Sequence, residues 1–267
     1  GSEMCIRDRN LFIILGGIMN NKSLIKKVKN LPVPILPTMV GAFTLSNVYS
    51  GMGYTWIRHI TAWAAIAVIL SYILKICFHF DTVKKEYSNT IPASLYAGFT
   101  MLTMILGSYF YNASPVFGKT LWFVGLILHA IQILVFTYNN VIKNFNMQTF
   151  VPSWFVTYNG IMVSTVVGGV MNEPLIGKIV VYYGIAVFTV IIPFMIYRLA
   201  KHEIKDPVYH TQAILLAPSS LCLVSYLNFI STPNKFIIYY LYCAVICALI
   251  FISVSYTHLR AHETGAY

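Results

Sequence analysis

The sequence predicts an all-α protein that crosses a membrane many times. Its 267 residues are 58% hydrophobic and only 10% charged, with a mean hydropathy of +0.71. Soluble domains are about one quarter charged, so most of this surface does not face water. The apolar residues fall in long runs, and about 20 of them are needed to cross a hydrocarbon core about 30 Å thick. We therefore expect no soluble domain.

Long apolar runs predict eight membrane-crossing helices, here called spans 1 to 8. In chain order they cover residues 32–50, 56–79, 90–111, 117–139, 150–171, 175–199, 208–230 and 235–253. Within each pair the connection is a few residues long and contains Gly, Asn or Pro. Short connections make neighbouring helices antiparallel. The spans are thus predicted to form four consecutive hairpins.

Both ends of the chain resemble translated sequencing adapters rather than natural protein. Residues 1–9 and 254–267 are interpreted in this way, with 10–29 as a cytoplasmic N-terminal segment and 30–253 as a truncated transmembrane domain. We expect the natural start at Met19 and a different continuation after Ser253.

The formal charge of +10 comes from basic residues in the short loops. If the N-terminus is cytoplasmic, eleven Lys and Arg lie on the inner side and four on the outer side. The inner residues are Lys22, Lys26, Lys27, Lys29, Lys75, Lys84, Lys85, Lys143, Arg198, Lys201 and Lys205, and the outer ones are Arg58, Lys119, Lys178 and Lys235. This asymmetry predicts a cytoplasmic N-terminus. Because the basic residues follow topology, we expect no nucleic-acid binding.

Proline recurs in phase with the hairpins. Each odd span contains a proline next to a small residue, in the pairs Pro37-Thr38, Pro92-Ala93, Pro152-Ser153 and Pro218-Ser219. A proline inside a helix frees a carbonyl, and lipid tolerates such a group only against protein or a wet cavity. The odd spans are therefore predicted to be inner and the even spans outer. Pro92 and Pro152 also fit the first turn of a helix, so Pro218 is the best candidate for a kink.

Catalytic, metal and cofactor motifs are absent from the sequence. The acids between the two ends, Asp81, Glu86, Glu173, Glu203 and Asp206, lie in loops or at span ends, where they cannot form a proton relay or a sodium site. We predict no enzyme activity, no metal and no cofactor. His129 is the mid-span exception, with Gln132 on the same helix face. An interhelical hydrogen bond is the preferred interpretation of His129, and a membrane-embedded enzyme is the alternative.

Three strings resemble the tellurite-resistance/C4-dicarboxylate transporter family, which includes plant slow anion channels. They are Leu-Pro-Val-Pro-Ile at 31–35, Phe-Val-Pro-Ser-Trp-Phe-Val-Thr-Tyr-Asn-Gly-Ile at 150–161 and Ala-Ile-Leu-Leu-Ala-Pro-Ser-Ser-Leu-Cys-Leu-Val-Ser-Tyr-Leu at 213–227. The resemblance implies ten helices in five hairpins, with bent odd helices around a central pore. It also implies homotrimers in the bacterial plasma membrane that pass small anions such as dicarboxylate, sulfite or halide. The family's gating phenylalanine lies on a ninth helix, so no residue is assigned to the gate.

The leading hypothesis is passive transport of a small anion through a pore lined by the odd helices. A proton-coupled carrier for a dicarboxylate or oxyanion is the alternative. The lipid bilayer and the anion are the expected partners, with further copies of the chain. The predicted lining residues are Pro37, Thr38, Phe43, Pro92, Phe99, Pro152, Ser153, Phe155, Pro218 and Ser219.

Overall fold

The computed structural model describes residues 27–202 and 206–264, with side chains at all of these positions except 206–209 and 256–264. The predicted adapter-like segment 1–9, most of segment 10–29 and residues 265–267 lie outside this range. Every regular element in the described part is helical. The α-helices are α1 Ile35–Gly51, α2 Thr55–Phe78, α3 Phe80–Tyr87, α4 Thr90–Leu95, α5 Ala97–Tyr111, α6 Pro115–Thr137, α7 Trp154–Tyr158, α8 Val163–Val167, α9 Pro174–Lys201, α10 Leu216–Phe229 and α11 Lys235–Thr264.

Six helical stretches are long and apolar enough to cross a membrane, which confirms the polytopic all-α class. They are Thr55–Phe78, Thr90–Tyr111, Pro115–Lys143, Pro174–Lys201, His210–Phe229 and Lys235–Ser255, and they correspond to spans 2, 3, 4, 6, 7 and 8. Span 1 is the 17-residue α1, about 25 Å long at about 1.5 Å per residue. Span 5 does not form the single long helix that the sequence predicts, because its backbone is broken into short helical segments.

Span 5 changes helix type three times. The short α7 and α8 alternate with 3-10 turns at Gly160–Met162 and Gly168–Met171. Two of its backbone carbonyls accept hydrogen bonds from side chains of span 4: Trp122 Nε1 donates to Ser164 O at 3.1 Å, and His129 Nε2 lies 2.9 Å from Thr157 O. An irregular backbone persists inside a membrane protein because neighbouring helices satisfy its polar groups.

Span 7 also differs from the prediction of one continuous helix. It begins as a 3-10 helix over Asp206–Leu215 and becomes α-helical as α10 at Leu216. Pro218 therefore lies in the first turn of α10 and not inside an uninterrupted α-helix, where a kink was expected. Proline is tolerated there because the first turn has few intrahelical N–H bonds to lose. Pro193 is an interior proline, in α9.

Burial separates the odd and even spans as the proline pattern predicts. Buried residues make up 78% of the most apolar part of span 3 and 44% of that of span 7, against 22%, 39%, 28% and 6% for spans 2, 4, 6 and 8. In span 5, residues 150–165 are all buried. Span 1 is the exception, because α1 buries only the stripe Leu36, Val40, Phe43 and Ser46. The inner position is thus clearest for spans 3, 5 and 7.

Candidate functional site

Every buried Ser or Thr side chain among the described residues lies on an odd span. The ten residues are Ser46, Ser94, Thr100, Thr103, Ser153, Thr157, Ser164, Thr165, Ser219 and Ser225. We call this group the hydroxyl seam. Burying a hydroxyl in an apolar environment is unfavourable unless it is hydrogen-bonded. The concentration of these buried hydroxyl side chains on the odd spans therefore indicates that the odd spans form the polar interior of the bundle.

The hydroxyl seam joins spans 3 and 5 near Ser153, one of the predicted lining residues. Ser94 Oγ lies 2.9 Å from Ser153 Oγ, and Thr157 Oγ1 donates to the carbonyl of Ser94 at 3.0 Å. Ser94 Oγ also donates to Ile91 O within its own helix. These contacts hold the start of span 5 against the first turns of span 3.

A second set of contacts joins spans 5 and 7. Thr165 Oγ1 lies 2.6 Å from Ser225 Oγ, and Asn159 Nδ2 lies 3.6 Å from Cys222 Sγ. The same amide donates to Gly184 O of span 6 at 3.0 Å. Span 5 therefore lies between spans 3 and 7 and contacts both through polar side chains.

The predicted lining residues fall into two groups. Those on spans 5 and 7, together with Phe43, are buried, whereas Pro37, Pro92 and Phe99 are half-buried and Thr38 is exposed. The first group comprises Phe43, Pro152, Ser153, Phe155, Pro218 and Ser219. The structure brings Ser153 within hydrogen-bond distance of Ser94 of span 3. The ring of Phe155 contacts Phe188 of span 6, with 6.0 Å between centroids.

His129 of span 4 forms hydrogen bonds with spans 3 and 5. It is completely buried; its Nδ1 lies 2.7 Å from Thr100 Oγ1 of span 3, and its Nε2 lies 2.9 Å from Thr157 O of span 5. A carbonyl can only accept, so Nε2 carries a proton. Gln132 donates to Ala93 O at 3.3 Å, one turn further along. The interhelical interpretation of His129 is confirmed, since both ring nitrogens are engaged by neighbouring helices.

Two basic side chains that the topology count assigned to the inner side are buried in the bundle. Lys75 is fully buried in α2, and its Nζ donates to Glu86 Oε1 at 2.8 Å and to Leu31 O at 2.7 Å. Tyr96 of span 3 donates to the other oxygen of Glu86. Burial is tolerable because the ammonium is paired and hydrogen-bonded. The position of Lys75 inside predicted span 2 was the sequence feature that could have indicated its burial.

Arg198 is the second buried basic residue. It lies in the last turn of α9, and its guanidinium donates from Nε to Met147 O at 2.8 Å and from Nη1 to His202 O at 2.6 Å. It thereby fastens the loop before span 5 to the end of span 6. Sequence reasoning missed this role, because the acceptors are backbone carbonyls and carry no side-chain signature.

Comparison with known proteins identifies the family of this bundle. Residues 30–260 match the family model described as "Voltage-dependent anion channel". The chain belongs to the voltage-dependent anion channel family. Membership confirms the resemblance seen in the three sequence strings and places the chain among membrane proteins associated with anion transport.

A curated relative agrees with the voltage-dependent anion channel assignment. The chain is 22% identical over 170 residues to a protein named "Tellurite resistance protein TehA homolog" from Haemophilus influenzae, covering 61% of this chain and 50% of that protein. The chain thus spans about half the length of the relative it matches. Among the residues that the structure describes, no group of three or more His, Cys, Asp or Glu could hold a metal ion.

Proposed function

We propose that the odd spans line a passive route by which a small anion crosses the membrane. The observation that carries this proposal is the hydroxyl seam, whose ten members all lie on odd spans. Hydroxyl groups can donate hydrogen bonds to an anion without holding it as tightly as a fixed charge would. Weak, repeated binding is what conduction requires. Dicarboxylate, sulfite and halide-like anions are the proposed substrate class.

The distribution of acids supports passive movement over proton coupling. None of the eight spans contains Asp or Glu. The acids whose side chains the structure describes, Asp81, Glu86 and Glu173, lie in α3 or in a loop. Intramembrane carboxylates are the usual proton relays and would repel an anion. A proton-coupled carrier is the second candidate, and the transport assay below separates the two.

Seam members at span contacts are proposed to line the route, together with the lining residues named from the sequence. Ser153 and Thr165 are the best targets, because each lies within hydrogen-bond distance of a hydroxyl on another odd span. Thr120 of span 4 is a matched control, since its hydroxyl is exposed and bonds only to Val116 O of its own helix.

The test uses protein expressed from the gene together with any codons that follow Ser253, reconstituted in liposomes. We expect flux of sulfite, nitrate or succinate that follows the electrochemical gradient of the anion and survives a protonophore. Ser153→Ala and Thr165→Val should change flux or anion preference, whereas Thr120→Val should not. Absence of anion flux in correctly folded trimers contradicts the proposal, and flux that collapses with the proton gradient supports the coupled carrier.

Assembly and orientation are proposed in the same way. The complete protein is proposed to be a homotrimer in a bacterial plasma membrane, with a cytoplasmic N-terminus. The family resemblance supports the trimer, and the eleven-to-four division of basic residues supports the orientation. A reporter fused at Asn172 should be external, and native mass measurement of the purified protein should give three chains. A cytoplasmic reporter at Asn172 contradicts the orientation.

A further inference from the structure

A cavity of about 590 Å³ that contains one charged side chain lies at the ends of spans 1, 2 and 3. Its walls come from the last turn of α1, the first turns of α2, and the end of α5 with the loop that follows. The lining residues are Ser50, Thr55, Arg58, His59, Tyr109, Phe110, Asn112 and Ala113. The positive-inside count puts this end on the outer side.

Arg58 is the charged group of this cavity, and its guanidinium forms no ion pair with a described side chain. The guanidinium carbon lies 5.8 Å from the centroid of the Tyr109 ring, which supports the cation from one side. Nε of Arg58 is buried and has no hydrogen-bond acceptor in the described part of the chain. A guanidinium has five donors, so a half-buried one without an acceptor is a ready site for an anion.

The neighbouring acid is already paired. Glu173 belongs to a loop at this end of the bundle, but its carboxylate forms an ion pair with Lys119 at 2.6 Å. The other acids with described side chains, Asp81 and Glu86, lie near the opposite ends of the spans. The positive charge of Arg58 is therefore not neutralised by an ion pair within the described residues.

Other lining groups also favour negative charge. The side chains of Ser50, Thr55 and Asn112 make no hydrogen bond to described residues, which leaves their donors free. Thr55 is the first residue of the 24-residue α2, so the positive end of that helix dipole adds to the field of Arg58. His59 Nδ1 lies 2.8 Å from the hydroxyl of Tyr109, which fixes the ring beneath the guanidinium.

We propose that this cavity binds a small anion with a planar carboxylate or oxyanion group through the guanidinium of Arg58. The planar fork of arginine matches such a group with two parallel hydrogen bonds. Asn112, Ser50 and Thr55 donate to the remaining oxygens. In the proposed transport function, the site would collect the anion at one end of the bundle. Only this physiological role rests on the proposed function; anion binding by the cavity does not.

Protection of Arg58 from an arginine reagent tests the site without any flux measurement. The purified chain in detergent is treated with phenylglyoxal at increasing nitrate, with N-acetylarginine in the same tube, and Arg58 modification is followed by peptide mass spectrometry. We expect the rate of Arg58 modification, divided by that of N-acetylarginine, to fall as nitrate increases and to saturate. The fall should be about tenfold at a nitrate concentration near nine times Kd. An unchanged ratio up to about 100 mM nitrate overturns the proposal.

Two variants control the measurement. Asn112→Leu removes a donor and should weaken protection at least about threefold, as expected for one lost hydrogen bond. Lys178→Gln removes an exposed charge at the same end but outside the cavity lining, and should leave protection unchanged. If Lys178→Gln loses as much protection as Asn112→Leu, protection does not depend on the cavity lining, and the site is overturned.

The outcomes separate the site from the transport function. Protection without flux in the reconstituted protein contradicts transport and keeps the site. Flux without protection contradicts the site and keeps transport. If both hold, Arg58→Gln should raise the half-saturating concentration for flux severalfold, while Lys178→Gln should not.

Discussion

Spans 3 and 4 pack backbone against backbone at Gly107, which makes this glycine a sharp test of the fold. A Cβ added there would lie 2.7 Å from Trp122 N, 2.8 Å from Gly118 O and 2.9 Å from Trp122 Cα. All three atoms belong to the backbone, so no rotamer change can relieve the contact. At Gly41 of α1 an added Cβ would meet nothing within 4 Å. Gly107→Ala and Gly41→Ala are therefore a matched pair.

The two variants are expected to change stability in opposite directions. Both gain up to about 1 kcal/mol from the higher helix propensity of alanine. Gly107→Ala must also separate two backbones and lose packing along the contact, which costs about 3 kcal/mol, at the upper end for overpacking. The net expectation is a loss of about 2 kcal/mol for Gly107→Ala and a gain of up to about 1 kcal/mol for Gly41→Ala.

Unfolding of the detergent-solubilised protein with increasing dodecyl sulfate, followed by circular dichroism and tryptophan fluorescence, measures this difference. If Gly107→Ala is as stable as Gly41→Ala within about 0.5 kcal/mol, the tight packing of spans 3 and 4 is refuted.

Three further variants test individual side-chain contacts in the same unfolding assay. Lys75→Met should lower the free energy of unfolding by about 3 kcal/mol, because it leaves Glu86 without its cation. Adding Glu86→Gln should recover part of this loss. Strictly additive effects of the two substitutions contradict the Lys75–Glu86 ion pair. Trp122→Phe should cost about 1–2 kcal/mol through the unpaired carbonyl of Ser164, and no loss contradicts that bond. His129→Ala should cost about 2–4 kcal/mol but leave anion flux per folded molecule unchanged, whereas abolished flux in a folded variant contradicts a purely structural role.

The environment of Lys75 shows where sequence reasoning stops. Hydropathy treats a lysine near the end of a span as a topology signal, because the side chain can usually reach water. In the structure its ammonium instead bonds to Glu86 and to Leu31 O. A residue eleven positions away and a loop carbonyl cannot be recognised as partners until spans 2 and 3 are packed together. Arg198 was missed for the same reason.

Span 5 gives a second example. Its composition predicts a continuous helix, because most residues from 150 to 171 are apolar. Breaks in that helix become possible when side chains of span 4 are in reach of its carbonyls, as Trp122 and His129 are. Helix propensity is a local quantity, whereas this compensation comes from a neighbour across the bundle.

The cavity beside Arg58 is likewise a product of packing. The sequence places Arg58 at the start of span 2 and Tyr109 at the end of span 3, with no sign that the two meet. Antiparallel hairpins bring both ends to the same side of the bundle, and the aromatic ring then supports the guanidinium. The charge could be counted from the sequence, but its lack of an anionic partner could not.

Composition alone determined that this chain is a polytopic helical membrane protein. The free-energy cost of exposing apolar runs to water adds up residue by residue, so it can be estimated without knowing which residues contact one another. The phase of the prolines correctly indicated the inner position of spans 3, 5 and 7 but not of span 1, and three strings indicated the family. Only the tertiary structure decided which helices break, which charges are buried and where hydroxyl groups meet. Those features depend on donors and acceptors from different spans lying within about 3 Å of one another, and no property of a single span specifies that distance.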